Sequence, residues 1–227
     1  DKYIDVFKDA GIQSVNVSLD SLTREKFFAI TRRDEFNRIL DNIYLLLQNK
    51  FHVKINVVVM KNVNDDELND FIAWTKHLPV HIRFIEFMPF AGNDWSREKV
   101  FSYQEMLAVI ATQYKFLKLQ DAKHDTDKKY FVPGYEGTFA VISTMSQPFC
   151  SGCNRMRLTT DGKMKNCLFT KNEVDILGAL RSGVDIAPLI QQCVWDKEKA
   201  LGGQFTPYDE NFDASSISNR RMINIGG

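Results

Sequence analysis

Three short apolar segments with amphipathic stretches between them set the strongest limit on how this chain of 227 residues folds. Ser14–Leu19 (SVNVSL), Val53–Met60 (VKINVVVM) and His81–Met88 (HIRFIEFM) read as strands, two of them rich in β-branched residues. Between the first two, Phe36, Leu40, Ile43 and Leu47 recur at helical spacing, with Ile39 and Leu46 widening the stripe and Asp34 placed to cap it. A second helix is predicted from a cap at Asp65 or Asp66 to about His77, with Leu68, Phe71, Ile72 and Thr75 on one side. Alternating strands and helices imply parallel βα units with right-handed crossovers, in an open doubly wound sheet or a (β/α) barrel. Three strands cannot close a barrel. Residues 1–10 read as the end of a helix whose preceding strand is expected to be missing, so the chain is expected to be a fragment.

After Pro89 the pattern changes. Phe90–Lys99 reads as a loop, and Ser102 caps a helix to about Gln113. Short strands are predicted at Lys115–Leu119, Tyr130–Val132, Thr138–Ser143 and Arg155–Thr159, then helices at Glu173–Arg181 and Asp185–Lys199. Lys+Arg and Asp+Glu both number 29, which argues against a surface built for nucleic acid. No apolar run reaches the roughly 18 residues of a membrane span, and no export signal is expected. A reducing cytoplasm is therefore expected.

The four cysteines are Cys150, Cys153, Cys167 and Cys193. The first three form C-x2-C-x13-C, and Asp161-Gly162 suits a two-residue hairpin turn that would return Cys167 to the CxxC. Three thiolates converging at one end of a hairpin can bind one metal centre. Cys193 falls on the apolar stripe of its helix, where a free thiol packs as a small hydrophobe. With three ligands a metal or iron–sulfur centre keeps an open position for a substrate. With Cys193 as a fourth, the centre would be a structural zinc.

Cationic residues accompany the thiols. Arg155 and Arg157 share one face if Arg155–Thr159 is a strand, and two guanidiniums suit a phosphate. Lys54 and Arg83 stand out inside otherwise apolar strands, where a cation needs a partner. In barrels, the C-terminal ends of the strands bind phosphorylated ligands. These cations also allow a nucleotide-binding module without chemistry.

VSLD (Val17–Asp20), KINVVVMKNVND (Lys54–Asp65), RFIEFMPF (Arg83–Phe90), CSGCNRMRLTTDGKMKNCLF (Cys150–Phe169) and the terminal Gly226-Gly227 together resemble the molybdenum-cofactor biosynthesis protein A family. That family comprises radical S-adenosylmethionine (SAM) enzymes, the GTP 3′,8-cyclases. The resemblance implies an α/β fold, an incomplete (β/α) TIM-like barrel with an α+β cluster-binding extension, divided here as residues 1–100 and 101–227. It implies two 4Fe–4S clusters at opposite ends of a cavity. The first, held by a CxxxCxxC motif, cleaves SAM to a radical that abstracts hydrogen from the ribose C3′ of GTP. The C3′ radical then attacks C8 of the base. The second, held by three cysteines, offers its open iron to the guanine.

Carried onto this sequence, the resemblance assigns Cys150, Cys153 and Cys167 to the second cluster. Arg155, Arg157, Lys54 and Arg83 are assigned to GTP, Ser18 and Met88 to SAM. The tail Gly226-Gly227 would reach into the active site. No CxxxCxxC occurs in the sequence, so the first cluster is expected only in a longer protein and these residues alone are expected to be inactive. Exposed strand edges would favour a homodimer. Neither nucleic acid nor membrane is an expected partner.

Overall fold

The computed structural model describes residues 2–206, 212 and 216–222. The chain divides into two compact units, one of Asp1–Phe87 with Glu98–Thr144, the other of Met88–Arg97 with Met145–Gly227.

The first unit is mixed α/β. Its elements are α1 (Ile4–Asp9), β1 (Ser14–Ser18), α2 (Arg24–Thr31), α3 (Phe36–Gln48), β2 (His52–Val59), α4 (Leu68–Trp74), β3 (His81–Glu86), α5 (Tyr103–Ala111), β4 (Leu117–Lys118), β5 (Lys128–Phe131) and β6 (Thr138–Ile142). They build one six-stranded sheet in the order β1-β2-β3-β6-β5-β4. The four strands β1, β2, β3 and β6 are mutually parallel, and β5 and β4 add antiparallel. The parallel set thus has a fourth member, which arrives after a long excursion through α5.

Alternation along the strands separates two faces. Val53, Ile55, Val57 and Val59 of β2, Ile82 and Phe84 of β3 and Phe139 and Val141 of β6 are buried in one core with Ile43, Leu68, Phe71, Ile72, Met106 and Ile110 from the helices. Phe84 meets Phe71 edge-on, with ring centroids 6.2 Å apart. The other face carries Lys54, Asn56, His81 and Arg83, none of them fully buried. The cations that look out of place in apolar strands therefore belong to the polar side of a two-sided sheet.

Several caps differ from expectation. Ser102 caps α5, as its sequence predicts, and the cap is a full capping box with Glu105. Asp34 does not cap α3, because the helix begins at Phe36 and Asp34 stands one place too early, where it pairs with Arg24 at 2.7 Å. Neither Asp65 nor Asp66 caps α4. Those residues form a 3-10 turn whose capping position is Asn64. The Asn64 side chain instead accepts from Met60 N (2.8 Å) and donates to Asp20 O (2.7 Å) and Val58 O (2.9 Å). α4 also stops short of His77, since Thr75 Oγ1 donates to the Ile72 carbonyl and its own carbonyl accepts from Gly137 N.

The second unit holds a three-stranded antiparallel sheet, β7 (Arg157–Leu158), β8 (Lys163–Lys165) and β9 (Val174–Asp175), with α6 (Ile176–Arg181) and α7 (Ala187–Trp195). β9 takes the residues expected to open a helix at Glu173, and Asp175 then caps α6 through a 2.9 Å bond from Gly178 N. The β7–β8 hairpin turns through three residues, not two. Thr159 N donates to Lys163 O (2.8 Å), and Gly162 N to Thr159 O (2.9 Å). Gly162 is left-handed at φ +78°, and a Cβ there would lie 2.2 Å from Leu177 Cβ. Both conditions require glycine.

Candidate functional site

The thiols lie at the open end of the β7–β8 hairpin. Cys150–Gly152 form a single 3-10 turn, closed by Cys153 N donating to Cys150 O at 3.1 Å. The pairing that follows, Arg157 with Lys165 and Leu158 with Met164, brings the chain back, so that Cys167 stands two residues beyond the last paired position. Cys150, Cys153 and Cys167 are partly exposed free thiols. Burial pushes the Cys150 thiol up, and Cys167 and Cys153 push it further by repulsion, against the Leu201 N–H and the charge of Lys197. The hairpin therefore returns Cys167 towards the turn that carries Cys150 and Cys153. Among the described residues no group of three or more His, Cys, Asp or Glu side chains is arranged as it would be around a metal ion.

Cys193 stands apart. It is 3% exposed, and its thiol is pushed up by burial and then by Asp196, with no influence from the other three. This is the packing role that its place on an apolar stripe predicts.

Arg155 precedes β7, so the expectation that Arg155 and Arg157 alternate along one regular strand is not met. The ladder ends at Arg157 and releases Arg155 into an exposed stretch. The two guanidiniums are nonetheless neighbours. Arg157 is pushed down by burial and by the charge of Arg155, and held up by Cys167. Both arginines thus follow the second thiol in the chain, Arg157 at the end of the ladder and Arg155 just outside it.

On the polar face of the first unit, Arg83 lies across two neighbouring strands. Its Nε donates to Asn56 Oδ1 and its Nη2 to Asn16 Oδ1, each at 2.8 Å. Lys54 lines a cavity of about 310 Å³ with Ser14, His52, His81, Glu136 and Thr138. Lys54 and Arg83 are the third residues of β2 and β3, nearer the strands' N-terminal ends than the barrel analogy implies. Ser18 ends β1, and the next residues explain why it is presented there. Leu19 is buried, while the Asp20 carboxylate accepts from Val58 N at 2.8 Å and extends the pairing of β2. Burial pushes the Asp20 carboxyl up. Met88 is half-buried just past β3, its carbonyl accepting from Asn93 Nδ2 at 2.8 Å. Gly226 and Gly227 lie outside the described residues.

Three groups of polar residues escape the sequence reading. Asn16 and Asn56 orient Arg83, and asparagines at alternate strand positions were the available signal. Lys197, two residues past the end of α7, bonds to the backbone beside the thiols and has no local signature. Lys165 is 1% exposed, and its ammonium donates to Thr170 O (2.5 Å) and Asn219 Oδ1 (3.2 Å) and lies 3.5 Å from Glu173.

Comparison with known proteins gives two family matches. Residues 80–202 match Molybdenum Cofactor Synthesis C, and residues 1–75 match the Radical SAM superfamily. The chain is 35% identical to a GTP 3′,8-cyclase of Syntrophomonas wolfei, over 97% of this chain and 67% of the relative. It is 38% identical to the mitochondrial GTP 3′,8-cyclase of Arabidopsis thaliana, over 97% of this chain and 56% of the relative. It is 39% identical to human molybdenum cofactor biosynthesis protein 1, over 95% of this chain and 34% of the relative. The chain spans about a third of the length of several curated relatives it matches. Among the described residues no helix is long and apolar enough to cross a membrane.

Proposed function

The chain belongs to the Molybdenum Cofactor Synthesis C family, and from that membership we propose that it is part of a GTP 3′,8-cyclase of molybdenum cofactor biosynthesis. In this reading Cys150, Cys153 and Cys167 hold a 4Fe–4S cluster. The observation that carries it is the β7–β8 pairing that brings Cys167 back towards the turn of Cys150 and Cys153, with Arg157 at the end of the ladder. Three soft thiolates, with the fourth cysteine, Cys193, buried in α7 instead, fit such a cluster better than a closed zinc site. When bound, the cluster supplies an iron with one position open to a substrate atom.

The chain's own residues then bind and orient. Arg155 and Arg157 offer planar forks of donors to phosphate oxygens. Lys54 and Arg83 are cationic contacts for the nucleotide on the first unit. Arg83 is already fixed by Asn16 and Asn56, so it loses little freedom on meeting an anion. Ser18 and Met88 are assigned to SAM, and Gly226-Gly227 to the active site. The open parallel sheet is read as part of an incomplete barrel, and a cytoplasmic, reducing setting keeps the thiols available. With no CxxxCxxC among its four cysteines, this chain by itself binds GTP without cyclising it.

Anaerobic reconstitution with ferrous iron and sulfide tests the reading. The protein should turn brown through thiolate-to-iron charge transfer, and Cys167→Ser should hold no iron. Equal iron in that variant overturns the ligand assignment.

A further inference from the structure

The β7–β8 ladder ends at Arg157 and Lys165, four residues after Cys153 and two before Cys167, and something else must hold those ends together. The group that does so comes from the segment after α7. Lys197 Nζ donates to the Arg155 carbonyl at 3.0 Å and also to the Asn166 carbonyl. Arg155 is two residues past Cys153, and Asn166 immediately precedes Cys167. One ammonium therefore bridges the two backbones where their own pairing has stopped.

Leu201 in the same segment is 1% exposed and left-handed at φ +47°. Two further contacts keep the segment in place. Asn166 Nδ2 donates to the Cys193 carbonyl of α7 at 3.0 Å, and Gln204 Nε2 donates to the Phe169 carbonyl. Gly202 packs so closely on residues 169 and 170 that a Cβ would lie 2.5 Å from Thr170 N. α7 itself stops at Trp195, four residues before the end its sequence predicts, and Lys197 is free of the helix to make its bridge.

We propose that Lys197 is a positioning residue for the three-thiol site, closing the frayed end of the hairpin by its two carbonyl bonds. The inference rests on the reading of the thiols as metal ligands. Lys197 touches no ligand sulfur by hydrogen bond. It acts through the backbone that presents Cys153 and Cys167, and its positive charge offsets part of the negative charge that three thiolates bring together. Outer-shell groups of this kind are worth about 10–100-fold in metal affinity when removed.

The test uses the chain reconstituted anaerobically with ferrous iron and sulfide, then challenged with an excess iron chelator. Lys197→Met should release iron at least about tenfold faster than the unaltered protein, with a changed electron paramagnetic resonance spectrum of the reduced cluster. Lys197→Arg, which keeps charge and donors, should restore most of the retention. A folded Lys197→Met chain with unaltered release rate and spectrum overturns the proposal. Should that variant not fold, hydrogen exchange on the unaltered chain decides. Loading with iron and sulfide should protect the amides of 197–204 together with those of 150–155 and 165–170, and no gain at 197–204 overturns it. Failure of the unaltered protein to bind iron at all would instead defeat the cluster reading itself.

Discussion

Arg220 grips both carboxylate oxygens of Asp161, at 3.1 and 2.9 Å, from 59 residues further along the chain. The same guanidinium also reaches Glu173, whose other oxygen lies 3.5 Å from the buried Lys165 ammonium. The hairpin turn is thus tied to residues 216–222. Arg220 and then Thr159 hold the Asp161 carboxyl down at about 2, against an ordinary 3.8. A lowered carboxylate contributes stability that is present above the ordinary value and is lost as pH falls through the folded one. The difference in melting temperature between the unaltered protein and Asp161→Asn should therefore hold at neutral pH and close as pH falls from 3.8 towards 2. A difference independent of pH across that window would rule out the pairing as its source.

Cys193→Ser separates packing from ligation. The site is buried, so an added hydroxyl without a partner should cost about 1–3 kcal/mol in denaturant unfolding. Iron bound after reconstitution should stay equal to that of the unaltered protein. Loss of iron would make Cys193 a fourth ligand.

Arg83→Gln should fold normally, because its partners Asn16 and Asn56 remain open to water on the polar face of the sheet. GTP affinity should fall about 10-fold or more, the worth of a hydrogen bond to a charged group. Asn56→Asp keeps the contact but neutralises the cation, and should weaken GTP binding in the same direction. Titration calorimetry reads both, and unchanged affinity in both removes Arg83 from the nucleotide site.

Gly162→Ala meets two penalties together. A left-handed backbone costs an L-residue about 1–2 kcal/mol, and forcing a Cβ against Leu177 costs about 1–3 kcal/mol more. Thermal unfolding of the second unit should shift down markedly. A neutral result would mean that α6 moves aside.

Tyr3, Val6, Ile12 and Phe28 are all more than 40% exposed in the first unit. Exposed apolar side chains and an outermost strand, β1, favour association. Sedimentation should show a mass that rises with protein concentration, and Val6→Lys with Phe28→Lys should return the monomer. A concentration-independent monomer would dismiss the expected homodimer.

The sequence made the parallel strands legible because β-branched runs of five to eight residues with helical stripes between them leave few alternatives. The thiol hairpin was legible because cysteine spacing and a glycine turn are both local. What stayed hidden was pairing at a distance. Asp34 and Asp66 look like caps, and only the fold shows that Arg24 and Lys26 claim them. Lys54 and Arg83 look buried until the sheet is seen to have a polar side. Lys197 carries no mark of its task, since the carbonyls it binds lie 42 and 31 residues earlier.

The position of β6 beside β3 has a consequence for how the chain is made. His81 pairs with Thr138, so the inner edge of β3 stays open until 57 further residues have been synthesised. Up to that point a growing chain presents β1, β2 and β3 with one apolar margin uncovered. Ribosome-bound intermediates that end anywhere between residues 87 and 137 are therefore the species most in need of a chaperone.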